Sequence, residues 1–306
     1  MQAHSISEVL GSEDRAADFR TVAGNLADQM IANHWHVDRM PWSDAPLFPI
    51  RQNVSENRTR RLARFYKSVV AVQTRAEEIA VSIARRLLVY ADTEKLDVAY
   101  RRALSALMND EASHVATMVK LEWLAEQQYP GIDPRSEESP LFSALMPAIE
   151  TLHPAVLAIF MASYEASVAI RSYAEEQTYK TASVLGAMAP RAAEDDGRHA
   201  KTLRIVAGEF LRKFRERHGD DEDGASAVWR EQILDPFTKY WTLMPAHEFY
   251  LAGNDPRQLK NVRKVVDHDS AIMQRILDFL GVSRAAQGYV HVPLTDRDYP
   301  AAALSS

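Results

Sequence analysis

Apolar residues recur at helical spacing along most of this chain, in stretches separated by proline, glycine and acidic segments. The first stretch, residues 13–35, has its apolar residues on one helix face: Phe19, Val22, Leu26, Met30 and Ile31. The same period predicts further helices over 57–90, 95–128, 139–151, 154–181, 183–217, 225–242 and 256–281. We therefore predict an all-α fold, with a four-helix core over about 57–217, C-terminal helices over 225–282 and an added helix at the N-terminus.

Two prolines interrupt this pattern in different ways. Pro46 belongs to a proline-containing segment, residues 38–55, which we expect to be an ordered loop that packs Trp42, Leu47 and Phe48. Pro190 lies inside the predicted helix 183–217 and lacks the backbone N–H that a helix interior requires. The sequence therefore predicts a kink or a restart of that helix at Pro190.

The sequences DEASH and DDGRH occur in two of the long predicted helices. Each places a carboxylate and an imidazole three residues apart, Glu111 with His114 and Asp196 with His199. Residues at that spacing project from the same side of a helix. A single copy is a common chance occurrence, but two copies on separate helices indicate a shared metal site. The alternative is that these residues are surface charges and core histidines.

Glu165 is the only charged residue in the apolar run PAVLAIFMASYEASVAI, residues 154–170. Burying an ionised carboxylate without compensation costs several kcal/mol. A buried Glu165 therefore indicates a bound cation. The alternatives are a narrow solvated stripe on the helix or an ion pair with an arginine of a neighbouring helix.

A fourth carboxylate is expected from the first core helix, which offers Glu77 and Glu78. Its apolar stripe consists of Val69, Val72, Ala76, Ile79, Ala80, Ile83 and Leu87. At about 100° per residue, Glu77 lies at the edge of this stripe, whereas Glu78 lies on the opposite face with Arg75. We therefore favour Glu77 as a metal ligand and Glu78 as a surface residue.

The leading acids of the two pentads, Asp110 and Asp195, have a different predicted role. Histidines that bind metal usually donate their other N–H group to a carboxylate or carbonyl. We expect Asp195 to reach His114 and Asp110 to reach His199 across the bundle; simple solvent exposure is the alternative. Six further histidines are interpreted as structural or exposed: His34, His36, His153, His218, His247 and His268.

Composition limits the available chemistry and partners. The chain of 306 residues has no cysteine and a net charge of −6, so thiolate metal sites and a generally basic surface are both excluded. Histidine and carboxylate ligands suit iron or manganese, although zinc also accepts them. The N-terminus lacks an apolar signal-peptide core, and no run approaches the roughly 20 apolar residues of a membrane span. We expect a cytoplasmic protein with no nucleic-acid or membrane partner.

The order of the candidate ligands resembles that of ferritin-like di-iron oxygenases, which combine two Glu-x-x-His-type motifs with two further carboxylates. Within that group the chain is most similar to the p-aminobenzoate N-oxygenase family, over roughly residues 45–282. The additional resemblances are the segment 46–48 (PLF), the arginine-rich segment 57–61 (NRTRR) and the segment 279–282 (FLGV).

This resemblance implies a single di-iron oxygenase domain over 1–306, which activates O2 to oxidise an amine to a hydroxylamine, nitroso or nitro product in natural-product biosynthesis. It further implies an external ferredoxin- or reductase-type electron donor and a homodimer. Glu111 and Glu165 are expected to bridge two iron ions. The implied metal ligands are Glu77, Glu111, His114, Glu165, Asp196 and His199.

Two positions depart from the family pattern. Ala192 stands where a further histidine ligand is expected, and Asp196 stands where the family has a longer glutamate. These departures leave open manganese at one site, Asp195 as an alternative ligand, and a non-catalytic partner protein with a degenerate site. Two other functions also remain open: a di-iron hydroxylase or desaturase acting on C–H bonds, and a metal-storage or redox-protective ferritin-like protein.

Overall fold

The computed structural model describes residues 19–34, 37, 40–42, 45–50, 53–135, 138–178, 183–219, 227–252 and 262–282. All regular secondary structure within these ranges is helical, which confirms the predicted all-α class. The N-terminal part of the first predicted helix, most of the acidic break near 220 and the C-terminal tail lie outside the described residues. No helix within the described ranges has both the length and the apolar character needed to cross a membrane.

The helices follow the predicted order closely. They are α1 (Phe19–Ala32), α2 (Glu56–Thr93), α3 (Val98–Gln128), α4 (Pro140–Leu145), α5 (Pro154–Thr178), α6 (Val184–His218), α7 (Ala227–Trp229), α8 (Asp235–Trp241), α9 (Met244–Ala252) and α10 (Val262–Phe279). A 3₁₀ turn, Met146–Ala148, follows α4, and a π-helical turn, Arg230–Leu234, joins α7 to α8.

Two helical hairpins form the centre of the fold. Helices α2 and α3 make one hairpin and α5 and α6 the other, and the hairpins meet where α2 packs on α5 and α3 packs on α6. Short helix α4 lies in the connection between the hairpins. Helix α1 packs along α3, and α10 packs on α5 and α9. The four long helices therefore enclose an interior to which each contributes one face.

The predicted ordered loop contacts both hairpins at one end of the long helices. Leu47 and Phe48 are buried, and the Phe48 ring stacks on Tyr66 and Tyr129 with centroid separations of 5.4 and 5.7 Å. The first N–H groups of α6 have no partner within that helix. The N–H groups of Val184 and of the residue after it instead donate hydrogen bonds to carbonyl oxygens of the loop, at 2.9 and 3.2 Å. The loop thus fixes where α6 begins.

Three details of the sequence-based prediction are wrong. Helix α6 does not restart at Pro190 but runs from Val184 to His218, because the packing of the long helix on both sides, including buried Met188 and Ala193, outweighs one missing hydrogen bond. The segment predicted as one helix over 225–242 contains a π-helical turn. Helix α9, Met244–Ala252, was not predicted, because its apolar residues lack a one-sided helical pattern.

Candidate metal centre

Six predicted ligands meet between the two hairpins, and we call them the carboxylate–histidine cluster. Helix α2 contributes one of them, α3 two, α5 one and α6 two. All are buried except Glu77, whose side chain is 20% exposed. The cluster consists of Glu77, Glu111, His114, Glu165, Asp196 and His199.

Glu111 occupies the middle of the cluster, between the two imidazoles. Its Oε1 atom lies 2.9 Å from Nδ1 of His199, and its Oε2 atom lies 3.5 Å from Nδ1 of His114. The Nδ1 atom of His114 is also 3.4 Å from Oε2 of Glu77. The two rings lie 5.6 Å apart between centroids. Both imidazoles therefore present the same nitrogen, Nδ1, to carboxylate oxygens in the interior.

The potential ligand atoms form two overlapping groups. One group contains Glu111, His114 and His199, and the other contains Glu165, Asp196 and His199; within each, the ligand atoms lie within 4.8 Å of one another. Carboxylates have two oxygens and can serve two neighbouring cations, whereas one imidazole nitrogen serves one. His199 is common to both groups and serves one cation, so a second cation would be held by the other members, Glu111 and His114, with Glu77 beside them.

The outer nitrogen of each imidazole faces a buried carboxylate. The Nε2 atom of His114 lies 3.3 Å from Asp195 Oδ2, and Nε2 of His199 lies 3.4 Å from Asp110 Oδ2. The structure thus brings together both pairs expected from the sequence. Because a carboxylate only accepts hydrogen bonds, we assign the ring proton of each histidine to Nε2. Nδ1 is then the lone-pair nitrogen.

When both rings are neutral, as metal binding requires, this assignment leaves electron-rich atoms facing each other inside the cluster. His199 Nδ1 and Glu111 Oε2 are buried and have no hydrogen-bond partner. Buried polar atoms of this kind are rare in proteins and require an explanation, of which an ion is one. A cation placed among them resolves the deficit at both atoms. The donor set therefore fits a metal ion, on geometric grounds alone.

Burial and mutual repulsion disfavour charge on three of the carboxylates. Burial, reinforced by neighbouring carboxylates, raises the pKa of Glu165 and of Asp196 well above their ordinary values. Burial also raises the pKa of Glu77 to about 7, against the opposing effect of His114. Burial therefore favours the protonated form of these three groups when no cation is present.

Glu111 and the two histidines behave in the opposite way. Burial alone raises the pKa of Glu111, but the adjacent imidazoles outweigh it and lower that pKa below the ordinary range. Burial alone lowers the pKa of His114 and of His199, but the surrounding carboxylates raise both values well above 6.5. In the metal-free protein, protons on the imidazoles therefore offset part of the carboxylate charge.

The remaining predicted residues lie outside the cluster. Glu78 is on the surface, where it forms an ion pair with Arg75 at 2.9 Å. Ala192 is half-buried and packs against the apolar residues around Phe48, so it supplies no ligand. Asp195 is in neither group of ligand atoms; it contacts His114 on one side and Arg198 on the other.

Sequence reasoning missed one residue beside the cluster. His34, interpreted from the sequence as a structural or exposed histidine, lies 2.7 Å from Asp110, on the carboxylate oxygen that does not face His199. Its only sequence signal is its position just after α1. This position points to the cluster only once it is known that α1 packs along α3.

No family model, curated protein or solved structure matches this chain. The interpretation of the cluster therefore depends on the chemistry of its own residues.

Proposed function

We propose that this chain is an O2-dependent di-iron oxidoreductase, built on a ferritin-like four-helix bundle, that oxidises the nitrogen of a small-molecule amine. One observation carries the proposal. Four carboxylates and two histidines from four helices converge in the interior, and the outer nitrogen of each histidine faces its own buried carboxylate. Structural ion pairs rarely need such paired support, whereas metal-binding histidines usually have it.

The helix arrangement supports the ferritin-like assignment. In ferritin-like di-iron proteins, two helices each contribute one glutamate and two contribute an acid and a histidine three residues apart. Here α2 and α5 contribute the single carboxylates, and α3 and α6 contribute the acid–histidine pairs. The connection containing α4 joins the two hairpins, as a long crossover does in that fold.

The charge of the cluster supports two divalent ions. Its four carboxylates carry −4 when ionised, and its two imidazoles are neutral when bound to metal. Two divalent cations bring this sum to zero, which removes the cost of buried uncompensated charge. Nitrogen and carboxylate ligands suit iron, and manganese is the alternative at one position.

The iron ions and the cluster residues have different proposed roles. Iron, when bound, supplies the one-electron and O2 chemistry. Glu111, which reaches both imidazoles, would hold the ions together with the carboxylates of Glu77, Glu165 and Asp196. Glu165 follows a run of buried apolar residues on α5, which includes Phe160.

The amine substrate, the electron donor and the dimer are inferred from the family resemblance. The sequence has no Gly-x-Gly-x-x-Gly dinucleotide fingerprint, so we propose that electrons come from a separate ferredoxin- or reductase-type protein. We also propose a homodimer, the commonest oligomer of soluble proteins.

A second candidate function is oxidation of a C–H bond on the same centre. Ala192 packs against apolar side chains rather than supplying a third histidine. The cluster therefore has two imidazoles, the number that resembles desaturase-type centres. The two candidates are distinguished by measuring whether the protein oxidises an amine or, instead, a hydrocarbon or fatty-acyl substrate.

Single-turnover experiments test the proposal. The protein, loaded anaerobically with two equivalents of Fe(II) and mixed with O2, is expected to oxidise an aromatic or aliphatic amine in a panel. Glu111→Ala is expected to abolish turnover, and Glu78→Ala to leave it intact. Oxidation of C–H substrates alone supports the second candidate. Uptake of O2 that deposits ferric oxide without any organic product contradicts both.

A further inference from the structure

His34 connects the cluster to a helix outside the bundle core. It follows α1, and its side chain is 16% exposed. Its Nδ1 atom lies 2.7 Å from Asp110 Oδ1, and its Nε2 atom lies 2.9 Å from Ser113 Oγ. His34 is not one of the six proposed metal ligands.

Hydrogen-bond geometry fixes the direction of these contacts. A carboxylate oxygen accepts, so His34 donates through Nδ1–H, and Nε2 is left to accept from the Ser113 hydroxyl. Asn109 Nδ2 also approaches His34 Nδ1, at 3.3 Å, but it is a donor and the shorter carboxylate contact decides the assignment. His34 is therefore held in one orientation by α3.

Asp110 thus accepts on both of its oxygens. Oδ1 faces His34, and Oδ2 faces Nε2 of His199, 3.4 Å away. His199 in turn presents Nδ1 to Glu111 at 2.9 Å. A continuous series of polar contacts therefore runs from the partly exposed His34 to the centre of the cluster.

The other imidazole is supported differently. Asp195, which faces His114, contacts Arg198, three residues along the same helix. This support is local to α6 and comes from a guanidinium that is always charged. The support of His199, by contrast, comes from His34, which belongs to a segment outside the two hairpins.

We propose that His34 is a positioning residue for one of the two metal positions. By holding Asp110 in place, it fixes the tautomer and orientation of His199, so that the position served by His199 depends on His34. The position served by His114 does not. This inference rests on the proposed di-iron function. Under this inference the two metal positions differ in their dependence on His34, although their immediate ligands are nearly symmetric.

The size of the effect follows from known outer hydrogen bonds of metal-binding histidines. Removing such a partner, here Asp110, typically lowers metal affinity by about 10–100-fold. His34 acts through Asp110, so we expect a loss at the lower end of this range, about tenfold, at one position and wild-type affinity at the other. A merely structural role for His34 lowers stability without selecting one position.

Titration of the intact protein with Co(II), followed by visible absorption and bound metal per chain, tests the inference. Wild type is expected to bind two ions. His34→Ala is expected to bind the first with wild-type affinity and the second about tenfold more weakly. His34→Asn, which keeps an N–H group near the Nδ1 position, is expected to recover most of the loss. Arg198→Met should weaken the other position instead.

The outcomes separate this inference from the proposed function. Two ions bound with unchanged affinity in His34→Ala overturn the inference and leave the di-iron proposal intact. Equal weakening of both positions, without recovery in His34→Asn, also overturns it. No metal bound by wild type overturns both. If circular dichroism shows that His34→Ala does not fold, the variants Ser113→Ala and His34→Asn test the inference instead. Unchanged metal binding in Ser113→Ala, together with weakened metal binding in His34→Asn, contradicts the proposed donor geometry.

Discussion

His199 Nδ1 lies 2.9 Å from Glu111 Oε1 although the two residues are on different helices. The imidazole proton is assigned to the other nitrogen, which faces Asp110. Two lone-pair atoms are therefore held near each other in a buried site. Such an arrangement is stable when a proton or a metal ion lies between them, and the predictions below distinguish these cases.

Glu77 and Glu78 form a matched pair for testing which face of α2 binds metal. Glu77→Gln is expected to weaken metal binding at the cluster by at least about tenfold, because it removes a charged ligand. Glu78→Gln should have no effect, since the Glu78 carboxylate pairs with Arg75 at the surface. Isothermal titration with Mn(II) or Fe(II) measures both. Equal effects of the two substitutions would place the binding site elsewhere.

Glu165→Gln is expected to separate stability from metal binding. The pKa of Glu165 is raised well above its ordinary value by burial, which favours the protonated form in the metal-free protein. Glutamine resembles the protonated acid in size and in its lack of charge. The metal-free variant should therefore melt at or above the wild-type temperature, but its melting temperature should gain less on metal addition.

Calorimetry with and without iron measures both quantities for Glu165→Gln. A variant that is strongly destabilised without metal would mean that the Glu165 carboxylate is ionised and paired in the metal-free protein. That result would contradict the burial argument.

Metal affinity is expected to rise with pH. The pKa of Glu77 is raised from 4.5 to about 7, chiefly by burial, and a metal ion must displace its proton. Between about pH 5 and 8, binding should release protons and tighten as pH increases. The proton count follows from isothermal titrations in buffers of different ionisation enthalpy. Binding that is independent of pH across this range would contradict the predicted protonation of the cluster.

Stability of the metal-free protein should change in the opposite direction. A folded-state pKa above the unfolded value means that the native state binds more protons, so its stability falls as pH rises through that value. Glu77 and the two histidines all have raised pKa values, and their contributions therefore agree in sign. Bound metal should abolish this loss of stability at high pH. Denaturant melts at pH 5.5 and 8, with and without metal, test it.

Phe48→Ala is expected to destabilise the protein by about 3–5 kcal/mol. The ring is fully buried and stacks on Tyr66 and Tyr129, so its removal leaves a cavity beside the loop that holds the start of α6. Ile31→Ala is the control, because Ile31 is 58% exposed. Urea denaturation measures both variants. A loss below about 1 kcal/mol in Phe48→Ala would show that this loop does not support the hairpins.

The sequence predicts which side chains meet in the cluster because helix geometry relates position directly to side-chain direction. The choice of Glu77 over Glu78 follows from an angle of about 100° per residue, and the structure places the two residues on the corresponding faces. The crossed pairing of Asp110 and Asp195 with opposite helices was also expected. It follows once two helices with the same motif face each other.

Other features depend on tertiary packing that no local pattern encodes. His34 reaches Asp110 only because α1 packs along α3, and a lone histidine after a helix carries no such information. The continuity of α6 through Pro190 reflects burial that outweighs a local preference. Helix α9 has buried Met244 and His247 but no one-sided apolar stripe, so periodicity did not reveal it.

Metal content of the purified protein tests the central claim most directly. The protein produced with iron supplied, and its Glu165→Ala variant, are analysed for iron, manganese and zinc per chain. We predict close to two iron ions per wild-type chain and at most one in the variant. Equal metal content in both proteins, or no metal in wild type reconstituted anaerobically with Fe(II), would contradict the di-iron centre.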